Sequence, residues 1–248
     1  MNRSSSVSLV LLLARRELAR YFRNWLGYLV MAALLSVTGL LHNAFALGST
    51  PKYSADVLRD FFYLASGTTM IAALFLSMRT LAEERQLGTL PLLTGSPLTD
   101  GQIVLAKFLA ALGVLSVYVL LTLYMPALVV VNGSVSFGHV AAGYVGLLAL
   151  GAAATAIGVL GSALARSQIL AVILSSVMLV SLLAQWLVAR LVEGPLGDLL
   201  AYLALHHRHF EPFMEGTVST AHLVYYASVC VVCLTLARNV MESRRWRS

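Results

Sequence analysis

The chain has 248 residues, of which 59% are hydrophobic and 11% charged, and its formal net charge is +6. Soluble domains carry about 25% charged residues, so a core folded in water is excluded for this much apolar chain, and hydrocarbon is its natural solvent. No basic patch is interleaved with aromatic side chains, which argues against a nucleic-acid surface and leaves membrane lipid and other proteins as the expected partners.

The opening stretch, MNRSSSVSLVLLLARRE, has a short apolar part that runs into Ala14-Arg15-Arg16-Glu17 without a small-x-small cleavage site. It is expected to be retained rather than removed as a signal. Residues 8–24 are amphipathic. Arg16, Arg20 and Arg23 share one face, and Leu11, Ala14, Leu18, Tyr21 and Trp25 share the other. This pattern predicts a helix lying in the membrane interface with its arginines toward anionic headgroups.

Six apolar runs follow, at about 25–47, 61–81, 103–131, 140–163, 169–191 and 222–240. Each approaches the ~20 residues that a helix needs to cross ~30 Å of hydrocarbon. They are too long and too continuously apolar for barrel strands, which alternate. The fold class is therefore an all-α membrane protein, with one transmembrane domain over 1–248. With both termini on one side, 13 of the 17 Lys and Arg residues fall on that side and only Lys52, Arg59, Arg190 and Arg208 on the other. The bias predicts cytosolic termini.

The connections are short at Gly48–Asp56 and Asn132–Gly138. Pro126 is expected to kink the third span, because it lacks an amide and its ring clashes with the preceding turn. The fourth span carries two small-residue ladders, Gly151/Thr155 and Ala154/Gly158/Ser162, which suit close helix approach. Ser175, Ser176 and Gln185 in the fifth span could line a pathway but read better as packing contacts. Cys230 and Cys233 read as small buried hydrophobes in an apolar setting.

Val192–Ala221 is the longest connection away from the termini. Its apolar part, Leu199–Leu205, is too short to cross, so a re-entrant or interfacial helix is expected. Within it, His206, His207, His209, Glu211 and Glu215 are possible metal ligands. Their spacing lacks helical regularity, and a polar surface is the preferred reading. The final MESRRWRS reads as a basic anchor, with Trp246 at headgroup level. No G-x-x-x-x-G-K-[ST] loop or H-E-x-x-H pair occurs, so neither nucleotide nor metal chemistry is expected in this chain. No cofactor is assigned to it. Charged residues deep in the spans are scarce, which disfavours a proton relay.

One polar interruption stands out: RTLAEERQLGTLPLLTGSPLTDGQIVLAKFLA, between the second and third spans. Glu83, Glu84 and Arg85 are compatible with a short helix displaying its charges outward. Gly88-Thr89 redirects the chain, Thr94–Pro97 makes a turn, and Thr99 or Asp100 can cap the next helix. Leu90, Leu92, Leu93 and Leu98 need something to pack against. This stretch resembles the cytosolic loop of ABC-type-2 exporter permeases. The match is carried by Glu83, Glu84, Gly88, Thr89, Leu92, Leu93, Pro97, Ile103, Val104, Leu105 and Lys107, with Pro91 as a departure. The closing part is similar to a gliding-motility-like subfamily at His209, Phe210, Gly216, Tyr225, Arg245 and Trp246.

The resemblance implies a permease dimer, of two identical or two paralogous chains, above two copies of a separate ATPase that bind ATP and magnesium. It implies a bacterial inner-membrane location. It also implies a coupling helix in the 82–97 loop, with Glu83, Glu84, Arg85, Gly88, Thr89, Leu90 and Leu93 as contact residues. Arg16, Arg20 and Arg23 would mark an elbow helix. His209, Phe210, Phe213 and Gly216 would belong to an outer gate. The rival readings are a mechanotransmitter that moves no cargo and an intramembrane enzyme, for which no nucleophile or metal is legible.

Overall fold

The computed structural model describes residues 3–23, 25–47, 53–90, 95, 98–133, 135–192 and 194–245. Among these, every regular element is a helix. In chain order they are α1 (Arg3–Arg23), α2 (Trp25–Leu41, running into a π-helical turn His42–Leu47), α3 (Ser54–Ser77), α4 (Ala82–Gln86), α5 (Asp100–Leu121) and α6 (Tyr124–Asn132). There follow α7 (Phe137–Leu164), α8 (Gln168–Ala189), α9 (Pro195–Leu203), α10 (His207–Met214) and α11 (Thr220–Arg245). Of the residues singled out in the sequence, Lys52, Pro91, Leu92, Leu93, Thr94, Ser96, Pro97 and Trp246 lie outside the described residues.

Six helical stretches are long and apolar enough to cross a membrane: Gly27–Ala46, Ser54–Gln86, Asp100–Val131, Phe137–Leu164, Gln168–Ala189 and Thr220–Ser243. The second begins earlier than its hydropathy suggests. Asp56, Arg59 and Asp60 interrupt the apolar run, but Arg59 is helical and meets Glu211 of α10 at 3.0 Å. A polar first turn is tolerated where a neighbouring helix supplies counter-charges.

The hub is α7, which packs on α3, α5, α8, α10 and α11. Its small residues make this possible. A Cβ at Gly143 would lie 2.1 Å from Cζ of Phe62, and one at Gly158 would lie 1.7 Å from the Ser77 hydroxyl. Thr155 and Ser162 of the ladders are fully buried. Without a hydrophobic drive between helices in lipid, such close approach is what holds a bundle together.

The break expected from Pro126 falls a turn earlier, at Thr122 and Leu123 between α5 and α6, with Pro126 in the first turn of α6. Proline offers no amide to the Thr122 carbonyl one turn back. The Thr122 hydroxyl donates to the Val119 carbonyl at 2.7 Å and accepts from Tyr144 at 3.0 Å, tying the broken helix to α7.

Before α2, α1 turns sharply. A Cβ at Gly27 would stand 2.6 Å from the Tyr21 carbonyl oxygen, so only glycine fits the bend. The face of α1 that packs is narrower than the amphipathic pattern suggests. Val10 and Ala14 close against Ala106 of α5, and the Tyr21 hydroxyl donates to the Leu76 carbonyl at 2.6 Å. Leu11 and Trp25, grouped with that face in the sequence, stay 58% and 73% exposed.

Gly143→Ala should lower the thermal midpoint of the detergent-solubilised protein, with an overpacking penalty of about 1–3 kcal/mol, because the Phe62 ring has no space to retreat. Gly67→Ala, where a Cβ meets nothing within 4 Å, should leave the midpoint unchanged or raise it slightly.

Candidate functional site

The polar interruption becomes α4, a helix of five residues. So short a helix does not persist by itself, and each part of it is fixed by a different neighbour. At its start, the Ser162 hydroxyl of α7 accepts from the amides of Leu81 (3.0 Å) and Ala82 (2.9 Å) and donates to the Met78 carbonyl. Along its flank, Arg85 donates to the Ala165 carbonyl beyond the end of α7. At its end, Gly88 has φ +70°, its amide bonds the Arg85 carbonyl, and the Thr89 amide bonds the Glu84 carbonyl. These are the paired bonds of a Schellman termination, in which glycine takes the left-handed position without Cβ strain.

The remaining face carries the charges. Glu84 is 5% exposed. One of its oxygens, Oε1, lies 3.1 Å from Lys107 Nζ of α5 and 3.1 Å from Arg20 Nη1 of α1. The other accepts from the Thr89 hydroxyl. Lys107 is itself 2% exposed and meets Glu17 of α1 at 3.3 Å. Glu83 receives a two-pronged contact from Arg79 at 3.0 and 3.2 Å and a longer one from Arg20 at 3.4 Å. Three acids (Glu17, Glu83, Glu84) thus balance three bases (Arg20, Arg79, Lys107), and all of these but Glu84 line a small cavity of about 140 Å³ together with Tyr21 and Thr80.

The expectation that α4 displays its charges outward is corrected at Glu84. Its carboxylate turns inward, because two cations from α1 and α5 converge there. Of the α1 arginines, Arg20 reaches into the network, while Arg16 and Arg23 are exposed. What α4 does present is Gln86, Leu87 and Gly88, with Leu87 60% exposed. Leu90 is helical and half-buried, packed against the main core. Sequence reasoning missed Ser162 as a cap and Glu17 as a partner. The R-R-E-L-A-R spacing of Glu17 and Arg20 (i, i+3) was the available signal.

Thr99 caps α5, accepting from the Gln102 amide while Gln102 reaches back to the Thr99 amide. This capping box fixes where α5 starts, and so where Lys107 meets Glu84.

At the opposite end of the bundle, α9 folds back along α8, and the Leu205 amide donates to the Leu182 carbonyl at 3.3 Å. The chain then turns into α10. The carbonyls freed at this reversal are taken up by side chains. His209 Nε2 donates to the Tyr202 carbonyl (2.8 Å), Tyr225 to that of Leu203 (2.7 Å) and Tyr226 to that of Leu205 (3.0 Å). With Nε2 protonated, His209 Nδ1 accepts from His222 Nδ1 at 2.9 Å, and its ring stacks on Tyr225 at 3.7 Å.

His206 Nε2 donates to Ser66 at 2.7 Å, since the Ser66 hydrogen is committed to the Tyr63 carbonyl. Burial, with His207 adding to it, pushes the His206 imidazole down to about 4. His207 stands edge-on to Trp186. The histidines therefore serve three different neighbours, and among the described residues no group of three His, Cys, Asp or Glu side chains is placed to hold a metal. Phe210 and Phe213 are fully buried. Gly216 has φ +82° and terminates α10 with the same paired bonds, to Phe213 and from Thr217 to Pro212.

Removing one partner from a buried ion pair leaves the other charge stranded, a loss on the order of 3 kcal/mol. Glu84→Met and Lys107→Met should each destabilise the protein by about that amount. The double variant should be less destabilised than the sum by about 1 kcal/mol or more, as read by denaturant titration in detergent. Strict additivity would mean that the two residues are not coupled.

No curated protein matches the chain closely. The family model described as ABC-2 family transporter protein matches residues 13–234, a stretch that runs from the middle of α1 through the α4 region into the second half of α11. An all-helical fold with six membrane-length helices agrees with that match. The chain belongs to the ABC-2 family of transporter proteins and is a multi-pass membrane permease component of an ABC transporter.

Proposed function

We propose that the chain is one half of an exporter's transmembrane unit. A second permease copy or a paralogue completes the unit, and two copies of a separate ATPase beneath it bind ATP and magnesium. The termini and α4 face the cytoplasm of a bacterial cell, in agreement with the excess of basic residues on that side. The α9–α10 hairpin enters the outer leaflet without crossing and serves as the gate. The likeness at its end to a gliding-motility-like subfamily belongs to this reading.

The observation that carries the proposal is the fixation of α4 on four sides, by Ser162, Ala165, Lys107 and Arg20. A partner's nucleotide cycle moves a permease only by binding its conformations unequally. Carrying a population from 1:99 to 99:1 takes about 5.5 kcal/mol of differential binding. A floppy contact point would dissipate that as local motion. A contact point bonded to α1, α5 and α7 passes it to three helices together. Gln86, Leu87 and Gly88 are the docking surface in this reading, and Glu83, Glu84, Arg85 and Thr89 are the bracing behind it.

Leu87→Asp tests this directly, since Leu87 is exposed and its replacement leaves the fold intact. The variant should insert and purify normally, yet nucleotide hydrolysis by the ATPase should lose its permease-dependent stimulation by about tenfold, equivalent to about 1.4 kcal/mol of coupling. A variant complex that assembles and hydrolyses ATP like wild type would refute docking at α4.

A further inference from the structure

A second cavity, of about 880 Å³, lies between the end of α2, the start of α3 and α6. Neither the bracing of α4 nor the reversal at α10 uses it. Three irregularities border it. Helix α2 loosens into the π-helical turn at His42, a distortion that often marks functional positions. The chain breaks at Thr122 and Leu123, one turn before Pro126, so the Met125–Val129 wall is not a continuation of a straight helix. His42, which lines the cavity and is 6% exposed, has an Nδ1 with no hydrogen-bond partner among the described residues. A buried imidazole nitrogen left unpartnered calls for an explanation such as a missing ligand or water.

The wall is graded. His42, Asn43 and Ser54 sit where α2 and α3 approach their connection, and the rest is mostly apolar, with Ser36 and Tyr124 as exceptions. Leu40 and Leu128 at its edge are 70% and 60% exposed, so the cavity opens sideways, onto hydrocarbon when the six helices span a bilayer. Among the described residues its lining contains no Lys, Arg, Asp or Glu. An occupant is therefore recognised through apolar contact and neutral hydrogen bonds rather than through charge.

We propose that this cavity binds a membrane amphiphile entering from the side, its acyl chain along Leu40, Met125 and Leu128 and its head group hydrogen-bonded at His42, Asn43 and Ser54. The proposal rests on the membrane reading of the six helices and not on coupling through α4, so the Leu87 experiment and this one fail separately.

The test uses the full chain in vesicles of phosphatidylethanolamine and phosphatidylglycerol, with a trace of phosphatidylethanolamine carrying a diazirine in its acyl chain. After irradiation, labelled peptides are mapped by mass spectrometry. Labelling at Leu35–Asn43 and Tyr124–Val129 should exceed that at the exposed Val231 and Val232 of α11 by about fivefold or more, the contrast between a site of modest affinity and bulk lipid contact. A diazirine phosphatidylglycerol probe should label the cavity to the same extent, because none of the described lining residues carries a charge that would select between head groups.

A Cβ at Gly39 meets Met125 Cε and Tyr124 Oη at 3.4 Å, ordinary contact, so Gly39→Phe fills the cavity. It should abolish the excess labelling there while leaving Val231 and Val232 unchanged. Leu128→Trp, at the exposed lip, should do the same if Gly39→Phe fails to fold. His42→Leu should reduce the excess while the apolar wall remains. Labelling no greater than at α11, or unaffected by both filling variants, would overturn the proposal. So would a Leu40→Cys disulfide-linked dimer formed in place of lipid labelling, which would make a second copy of the chain the occupant.

Discussion

Glu84 is the carboxylate on which the arrangement at one end of the molecule turns. It sits 3.1 Å from both Arg20 and Lys107, in a place water hardly reaches. A charge so placed is tolerated only with its partners in position. Each partner comes from a different helix, so moving α4 away from α1 or α5 would strand a buried charge. Opening any of these contacts is thus opposed by the desolvation of the group left behind, and that is what makes a five-residue helix behave as part of a larger body.

The two ends of the bundle solve a similar problem with different chemistry. Both hold a short helix terminated by a glycine with positive φ, Gly88 and Gly216. At α4 the bracing is ionic, with three acids facing three bases. At α10 it is mostly neutral: imidazole and phenol groups reach the carbonyls of residues 202, 203 and 205. A chain that reverses among apolar helices must satisfy its freed carbonyls internally, and tyrosine and neutral histidine do so without adding buried charge. His209, Phe210 and Phe213 accordingly point into the protein's interior, where they set the position of the hairpin.

Much of the helical layout was legible, because apolar length is a direct signal of membrane crossing. The break before Pro126, the redirection at Gly88 and the cap at Thr99 followed from local backbone chemistry. The start of α3 was read late, since Asp56, Arg59 and Asp60 lower hydropathy and the counter-charge to Arg59, Glu211 on α10, lies some 150 residues along the chain. The inward turn of Glu84 was hidden for the same reason: a charged residue in a loop looks solvated until its partners from distant helices are placed beside it. Ser162 read as a packing residue because its acceptor role depends on amides 80 or more positions earlier. The cavity at His42 was not legible at all, as it arises from the divergence of helices.

The central claim is that α1, α4 and α5 move as one body. Spin labels on Arg16→Cys and Gln86→Cys, both exposed positions, with Cys230 and Cys233 replaced by alanine, report it through the distance between them in the assembled transporter. The account predicts one narrow distribution that is the same with and without bound ATP and broadens on Glu84→Ala. A broad distribution in the unsubstituted background, or a distance that changes with nucleotide, would contradict it.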